Sequence, residues 1–406
     1  MDYAASISPN SSSIHEFGLL AKKKLEQARR DVAGVLSARS EEIIFTSGGT
    51  ESNNLAIQGV VLASQMQKNF AALPASGRGH GQNFSASAPH IITTNIEHPS
   101  VLDTYKLLEK RKLAEISIVP VESNGLVDPK KIRKMLKKNT VLVSVMYVNN
   151  EIGTIQPIKA IAQEVRHYRK ENTLNIFFHT DAVQAVNYLD LNVEKLGVDM
   201  LSLSGSKIEG AGRIGVLFKK NYVPFSNIFG GGDQEMGLRP GTENLPEILK
   251  FSSALIETQK IKDKEVKRLT KLRDYFFASL LKIFSRYDLP LRGGSLADKK
   301  FQEAALLING DLENRLPNNI NITLPRIPSD LLVIELSARG IMASSKSACK
   351  SSRAEGSYVI EALRPKSNPE IGGLRFSMGR NTKKSDIAYT IKSLTQILQK
   401  LKKWYD

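Results

Sequence analysis

The stretch NIFFHTDAVQAVNYLDLNVEKLGVDMLSLSGSK spans residues 175–207 and contains the pattern that decides the fold. Two apolar runs, 175–180 and 199–204, have the length of buried strands, and a more polar segment separates them. Polar or small residues follow each run, DAVQ after the first and GSK after the second. Consecutive buried strands that are separated in this way indicate a parallel sheet covered on both faces.

The same alternation of strand and helix extends along the chain in both directions. Further strand-like runs are EIIFT (42–46), HIITT (90–94), EISIVPV (115–121), TVLVSVMYV (140–148) and IGVLF (214–218). Helical patterns of apolar residues are found at 16–38, 52–66, 99–109, 128–137 and 158–170. This order predicts an α/β fold with a mainly parallel sheet.

The pattern changes after residue 243. A long helical segment (243–285) is followed by strands near 318–325 and 373–378 and by a closing helix (384–404). We therefore predict a large α/β domain over 16–249, and a smaller α+β domain formed by 1–15 and 250–406. Residues 65–89, rich in Gly, Ala, Ser and Asn, are predicted to form a surface loop.

Composition excludes several classes of protein. The single cysteine excludes an internal disulfide framework, and no cluster of Cys and His has the spacing of a metal site. No apolar run reaches the roughly 18 residues of a membrane-spanning helix. The N-terminus lacks the basic and apolar regions of a secretory signal, so we expect a cytoplasmic protein.

The net charge of +16 and the pI near 9.6 call for an explanation. The basic runs 129–138, 259–273 and 399–406 have the pattern of solvated faces of amphipathic helices, which is the favoured interpretation. A basic surface for RNA or for an acidic protein is the less favoured alternative, because no recognised nucleic-acid module accompanies these runs.

Polar segments follow five of the predicted strands. These segments are SGGTESNN (47–54), NIEHPS (95–100), NNEIG (149–153), DAVQ (181–184) and GSKIEG (205–210). Ligands of open α/β sheets bind outside the carboxyl ends of the strands. We therefore expect the five segments to meet in one site.

The residue types in these segments favour one cofactor. SGGT before a helix suits a phosphate group, although turn glycines and a helix cap explain it equally well. Asp181 follows an apolar strand and needs a cationic partner such as a protonated pyridine nitrogen. Lys207 follows a buried strand, so we expect it to be desolvated and reactive toward a carbonyl; the alternative is ordinary surface charge. Together these features fit pyridoxal phosphate held as a Schiff base.

Cys349 is the only cysteine and lies in SSKSACKSS (344–352). A lone cysteine is usually a small buried hydrophobe. Here Lys346 and Lys350 flank it, and neighbouring cations favour the nucleophilic thiolate.

Eight motifs now resemble those of one family in order and in approximate spacing. They are FTSGGTESNNLAI, EHPSVLDT, VNNEIGTIQP, HTDAVQ, LSLSGSK, GLRPGTEN, SSKSACKSS and LRFSMGRNT. They resemble the cysteine desulfurases, fold-type I pyridoxal-phosphate enzymes related to the class V aminotransferases. The likeness covers nearly the whole chain and is greatest to the subgroup whose catalytic cysteine lies in a long mobile loop.

The resemblance implies a role for each matching residue around the cofactor. Lys207 would bind pyridoxal phosphate covalently and move the proton of the substrate Cα. Asp181 would pair with the pyridinium nitrogen, Gln184 would hydrogen-bond the ring hydroxyl, and His98 would stack on the ring and assist proton transfer. The phosphate ligands would be Gly49, Thr50, Ser204 and Ser206.

Other matching residues concern the substrate and a second subunit. Asn150 would contact the cofactor and, with Arg375, hold the substrate carboxylate. Thr242 resembles the residue that reaches the phosphate of the neighbouring subunit, which implies a homodimer.

The resemblance also implies the reaction. Cys349, in a loop at about 340–358 of the smaller domain, would take the sulfur of L-cysteine as a persulfide and release alanine. The sulfur would pass to an iron–sulfur scaffold protein or to a tRNA-thiolating enzyme. The alternatives are a selenocysteine lyase, another class V enzyme, or a degenerate homologue that serves as a basic binding platform.

The chain departs from the family pattern at a few positions. Ser206 replaces the usual His before the Schiff-base lysine, Lys346 replaces a Gly, and Met236 stands where a basic residue is common. A segment that the family carries between DYAA and SSIHEFG is missing near the N-terminus. None of these changes removes a residue that the chemistry requires.

Overall fold

The computed structural model describes residues 10–71, 88–285, 306–324, 327–345, 356–365 and 372–405. The chain forms two compact units. The first contains the described residues of Met1–Val119, Pro129–Tyr147 and Pro157–Ile261. The second contains those of Pro120–Asp128, Val148–Gln156 and Lys262–Asp406.

The first unit is built from alternating strands and helices. Its strands are β1 (Ile43–Thr46), β2 (His90–Thr94), β3 (Glu115–Val119), β4 (Thr140–Ser144), β5 (Phe177–Asp181), β6 (Met200–Ser204) and β7 (Gly215–Lys219). Its helices are α1 (Glu16–Leu36), α2 (Gly49–Ala71), α3 (Pro99–Lys110), α4 (Pro129–Met135), α5 (Ile158–Asn172), α6 (Val193–Leu196) and the first part of α7 (Leu245–Ser285). Short 3-10 helices lie at Ser40–Glu42, Gly205–Lys207 and Gln234–Gly237.

The seven strands form one sheet in the order β1-β7-β6-β5-β4-β2-β3. The pairs β2/β3, β2/β4, β4/β5 and β5/β6 are parallel, whereas β7 is antiparallel to both β1 and β6. The prediction of a mainly parallel sheet is therefore confirmed. Because β1 has the same direction as β6, the carboxyl ends of β1, β2, β4, β5 and β6 lie at one edge.

The sheet is buried on both faces, as its apolar strands require. Every residue of β1, β2, β5, β6 and β7 is buried. On one face Leu55 and Val60 of α2 pack with Leu142 of β4 and Leu217 of β7 in a core of fully buried side chains. This packing fixes the start of α2 against the sheet edge at which the predicted site lies.

The second unit contains a small antiparallel sheet in the order β10-β9-β8. Its strands are β8 (Leu307–Ile308), β9 (Asn319–Thr323) and β10 (Leu374–Ser377), and its helices are α8 (Ser329–Ser337), α9 (Tyr358–Leu363) and α10 (Lys384–Tyr405). Segment 148–156 belongs to this unit because Thr154 pairs with Arg315 by a β-bridge. The unit bounds differ from the predicted domain bounds at three places. The described residues of 1–15 belong to the first unit and not to the second, and the segments 120–128 and 148–156 belong to the second unit. The boundary within α7 lies at Ile261 rather than at residue 249.

Two predicted elements have bounds that differ from the structure by more than two residues. β4 ends at Ser144 rather than at residue 148, because the following residues bond irregularly to β5 and to a side chain described below. Helix α2 continues to Ala71, so the start of the predicted 65–89 loop is helical, and its residues 72–87 lie outside the described residues. Within the described ranges no helix is long and apolar enough to cross a membrane.

Candidate active site

Asp181 is the last residue of β5 and is buried, with 6% of its surface exposed. Its carboxylate accepts hydrogen bonds from Asn53 Nδ2 (2.7 Å) and from the backbone N–H of Val183 (3.0 Å). Among the described residues no cationic side chain forms an ion pair with it. A buried carboxylate in this state is suited to a cationic group of a ligand.

His98 caps the N-terminus of α3 and is half-buried. Its Nδ1 accepts the backbone N–H of Ser100 at 3.1 Å and lies 2.8 Å from Ser100 Oγ, so the neutral ring carries its proton on Nε2. Burial lowers the pKa of His98; the charge of Asp181 opposes this effect and that of Lys207 adds to it. The net effect leaves the pKa below its usual value, which favours the neutral ring.

A chain of hydrogen bonds links these two residues. Asn53 Nδ2 donates both to Asp181 and to Ser100 Oγ (2.8 Å), and Ser100 contacts His98. The structure thus brings together the predicted ring-binding residues His98 and Asp181. Gln184 lies half-buried in the turn after β5.

The start of α2 lies beside the end of β6. A Cβ added at Gly49 would come within 2.8 Å of Val183 Cγ2 and 3.3 Å of Ser204 Cβ, so only glycine fits without a shift. Ser204 is buried, and its Oγ lies 2.9 Å from that of Ser206, while Thr50 is exposed. A helix N-terminus next to two hydroxyl groups is a suitable binding site for a phosphate.

Lys207 follows in the 3-10 helix Gly205–Lys207, and its side chain is exposed. The expectation that Lys207 is desolvated is therefore wrong for this single chain, since the residue lies in an exposed turn after the buried strand. Its backbone is held in place, since Asn187 Nδ2 donates to the Lys207 carbonyl at 2.6 Å.

Thr242 is exposed in the segment that carries GLRPGTEN. The segment is tied to the start of α2 by Arg239, whose Nε donates to Glu51 Oε1 at 2.8 Å. Burial raises the pKa of Glu51, but the hydrogen bonds from Arg239 and Ser47 outweigh this effect and leave the pKa below its usual value.

Asn150 and Arg375 meet in the second unit. Arg375 Nη1 donates to the Asn150 carbonyl at 2.7 Å. Arg375 Nε and Asn150 Oδ1 are both buried and have no hydrogen-bond partner among the described residues. Burial lowers the pKa of Arg375, and the nearby Glu151 opposes that shift. An arginine with an unpartnered Nε–H is suited to a carboxylate.

Cys349 lies outside the described residues, as do Lys346 and Lys350. The segment that leads to it is described as far as residue 345. There Ser344 exchanges two backbone hydrogen bonds with Arg375, at 3.0 and 2.7 Å.

Sequence reasoning missed four residues that support this site: Asn53, Ser100, Glu97 and Glu51. All four lie inside motifs quoted above, TESNN and EHPS. Their polar character gave no signal of burial, yet Asn53, Glu97 and Ser100 are buried, with exposed fractions of 1%, 0% and 8%.

Comparison with known proteins agrees with this geometry. The model of the family Aminotransferase class-V matches residues 1–287. A curated relative, "Cysteine desulfurase IscS" of Dictyoglomus turgidum, is 38% identical over 393 residues, which are 97% of this chain and 88% of the relative. This chain belongs to the cysteine desulfurase family.

Solved structures give the same relationship for this cysteine desulfurase homologue. A "NIFS-LIKE PROTEIN" has a TM-score of 0.79 and 30% identity, with 97% of this chain and 92% of that chain covered. "SspA in complex with cysteine" has a TM-score of 0.67 and 27% identity, with 91% and 90% covered. The predicted fold type and enzyme class are confirmed, and the predicted alternatives receive no support from these relatives.

The family depends on pyridoxal phosphate, and the residues present fit this cofactor. Asp181 is a buried carboxylate that lacks a cationic partner among the described residues, and Gly49 leaves the start of α2 open next to Ser204. The described part of the chain thus supplies a partner for a pyridinium nitrogen and a place for a phosphate.

Proposed function

We propose that this cysteine desulfurase homologue transfers the sulfur of L-cysteine to Cys349 and releases alanine. The observation that carries the proposal is Asp181, a buried carboxylate beside His98 at the carboxyl edge of the sheet, in a chain that retains Lys207 and Cys349.

Bound pyridoxal phosphate supplies an electron sink for the bonding electrons of the substrate Cα. Asp181 would hold the protonated ring nitrogen, and Gln184 would bind the ring hydroxyl. Gly49, Thr50, Ser204 and Ser206 would bind the phosphate.

The remaining residues act on the substrate. The guanidinium of Arg375, with Asn150, would hold its carboxylate, and Lys207 Nζ would take and return the Cα proton. The Cys349 thiolate would attack the substrate sulfur, so that an S–S bond forms and the substrate C–S bond breaks. The electron pair of that bond stays on carbon, which gains a proton and leaves as alanine.

The test compares native protein with Cys349→Ser. We expect the variant to bind pyridoxal phosphate but to release sulfur and alanine only at background rate, because a serine hydroxyl is scarcely ionised at neutral pH. Native protein treated with cysteine should gain one sulfur atom at its only thiol, removable by reductant. Ser347→Ala, in the same segment, is the matched control and should keep its activity. Undiminished alanine production by Cys349→Ser would refute the proposal.

We further propose a homodimer and a protein acceptor for the persulfide sulfur, either an iron–sulfur scaffold or a tRNA-thiolating enzyme. The exposed Thr242 and Thr50, with the ion pair between Arg239 and Glu51, support the dimer, because they leave ligands of the phosphate site open to a second copy. Light scattering should give twice the chain mass of 44.9 kDa. A monomer that turns over cysteine would exclude the dimer.

A further inference from the structure

Glu97 is a completely buried acid to which the reaction assigns no role. It lies in the turn between β2 and α3, immediately before His98. A buried carboxyl group is costly unless hydrogen bonds compensate for the loss of water, so its partners indicate what the group does.

The carboxyl group joins two segments that are distant in sequence. Thr94 Oγ1 donates to Glu97 Oε1 at 2.7 Å. The backbone N–H of Met146 donates to both carboxyl oxygens, at 2.9 and 3.0 Å. Glu97 therefore links the turn after β2 to the segment after β4.

The segment after β4 in turn holds the end of β5. The N–H of Val145 donates to the His179 carbonyl at 3.1 Å, and that of Tyr147 to the Asp181 carbonyl at 2.8 Å. A displacement of Met146 would therefore also displace the backbone of Asp181, through the hydrogen bond from Tyr147.

The contacts close into a circuit. From Asp181 the hydrogen bonds continue through Asn53 and Ser100 to His98, and Glu97 directly precedes His98 in the chain. Glu97 then contacts Met146, and Tyr147 returns the circuit to Asp181. Two of the three predicted ring-binding residues, His98 and Asp181, are members of this circuit, and Glu97 closes it.

We propose that Glu97 is a positioning residue, which fixes His98 relative to Asp181 and so preorganises the place of the pyridine ring. The inference rests on the proposed function for the roles of His98 and Asp181. Preorganised groups of this kind bind a ligand without the cost of ordering them at the time of binding.

The electrostatics of the group agree with such a role. Burial raises the pKa of Glu97 to about 8, and the nearby Asp181 carboxylate contributes to the shift, while the bonds from Met146 and Thr94 oppose it. Glu97 is then a neutral acid at pH 7 and adds no second negative charge beside Asp181. A glutamine, which is neutral and of the same shape, should replace it in this role.

The first test needs no cofactor. In cofactor-free protein with isotopically labelled histidine, NMR titration gives the pKa of His98, assigned by its loss in His98→Gln. We expect Glu97→Ala to move this pKa toward 6.5, because the ring loses its fixed, partly buried position. Glu97→Gln should retain the native value, and so should Glu109→Ala, a control at an exposed position of α3. An unchanged His98 pKa in Glu97→Ala would overturn the proposal.

The second test measures the dissociation constant of pyridoxal phosphate by equilibrium dialysis at pH 7. Glu97→Ala should weaken binding about tenfold, equivalent to roughly 1.4 kcal/mol, and Glu97→Gln should stay within about threefold of native. Equal losses in both variants would show that a neutral acceptor does not suffice and would overturn the proposal, as would unchanged binding in Glu97→Ala.

If Glu97→Ala does not fold, Thr94→Val carries the test, since it removes one of the bonds at nearly constant volume. It should weaken binding about two- to threefold and shift the His98 pKa in the same direction; no change in either would contradict the proposal. If native protein binds no pyridoxal phosphate, the proposed function fails, and the NMR titration still decides the role of Glu97.

Discussion

The buried ion pair between Arg29 and Glu235 gives the sharpest prediction of stability. The two side chains are 7% and 1% exposed, and Arg29 donates to both carboxylate oxygens at 2.7 and 2.8 Å. Arg29 also donates to the Ile43 carbonyl (2.6 Å), and Glu235 accepts the N–H of Phe45 (2.7 Å). The pair therefore joins α1 and β1 to the segment that leads to Arg239 and Thr242.

Replacement of Arg29 by Met keeps most of the side-chain volume but removes both hydrogen bonds from Arg29 to Glu235. Of the hydrogen bonds named above, the buried Glu235 carboxylate then keeps the one from the Phe45 N–H. Removal of one member of a buried pair costs about 3–5 kcal/mol. Glu235 and Met236 also have positive φ values, 48° and 60°, which non-glycine residues keep only where surrounding contacts enforce them. We therefore expect Arg29→Met to lower the free energy of unfolding by about 3–5 kcal/mol and to expose the 233–242 segment to protease.

Guanidinium unfolding of cofactor-free protein, followed by far-UV circular dichroism at pH 7, measures the change. The control is the double variant Arg29→Met/Glu235→Gln, in which the buried charge is gone but the amide oxygen can still accept the Phe45 N–H. It should be more stable than Arg29→Met alone. A loss below about 1 kcal/mol in Arg29→Met, or no recovery in the double variant, would refute the reasoning.

Three further predictions concern the site. Burial raises the pKa of Glu97 from its ordinary value of 4.5 to about 8, so between these pH values the folded chain binds a proton that the unfolded chain has lost. The free energy of unfolding should therefore fall as pH rises from 5 to 8, by up to about 1.4 kcal/mol per pH unit from this group. In urea unfolding, this free energy should depend less steeply on pH in Glu97→Gln than in native protein. Gly49→Ala should weaken pyridoxal phosphate binding in dialysis, because its Cβ would lie 2.8 Å from Val183 Cγ2, and Val183→Ala should restore the binding; no rescue would exclude the steric cause. Ser206→His should retain the cofactor at least as well as native protein, since the position is exposed and a ring N–H can replace the hydroxyl; faster cofactor loss on gel filtration would contradict this.

Sequence patterns predicted the elements whose burial is continuous. β5 and β6 are runs of buried residues that end in Asp181 and Ser204, and the parallel order places both ends at one edge. β8 was missed because it has two residues, Leu307 and Ile308, which is too short for any period. Helix α8 was missed because SDLLVIELS is apolar around most of its circumference and lacks the alternation that reveals a helix face.

The supporting residues of the site could not be predicted for a different reason. Glu235 lies in a polar, glycine-rich segment, and its burial depends on Arg29, which is 206 residues away in sequence. Glu97 likewise accepts the backbone N–H of Met146, which is 49 residues away, in addition to the nearby Thr94 hydroxyl. Partners at such separations leave no local sequence pattern. From sequence alone each acid is therefore predicted to be a surface charge, and its burial becomes visible when the fold places its hydrogen-bond donor next to it.

The contrast between the buried Asp181 and the exposed Lys207 agrees with the roles proposed for them. A carboxylate that stabilises a ring cation acts best when it does not move, and the circuit through Asn53, His98 and Glu97 holds it from several elements. A lysine that takes a proton from one atom and returns it to another must change position. Asn187 anchors the Lys207 backbone, and the Lys207 side chain is exposed. The fold therefore holds rigidly the group proposed to stabilise the ring charge and leaves exposed the group proposed to carry the proton, and the buried hydrogen bonds of Glu97 belong to the rigid part.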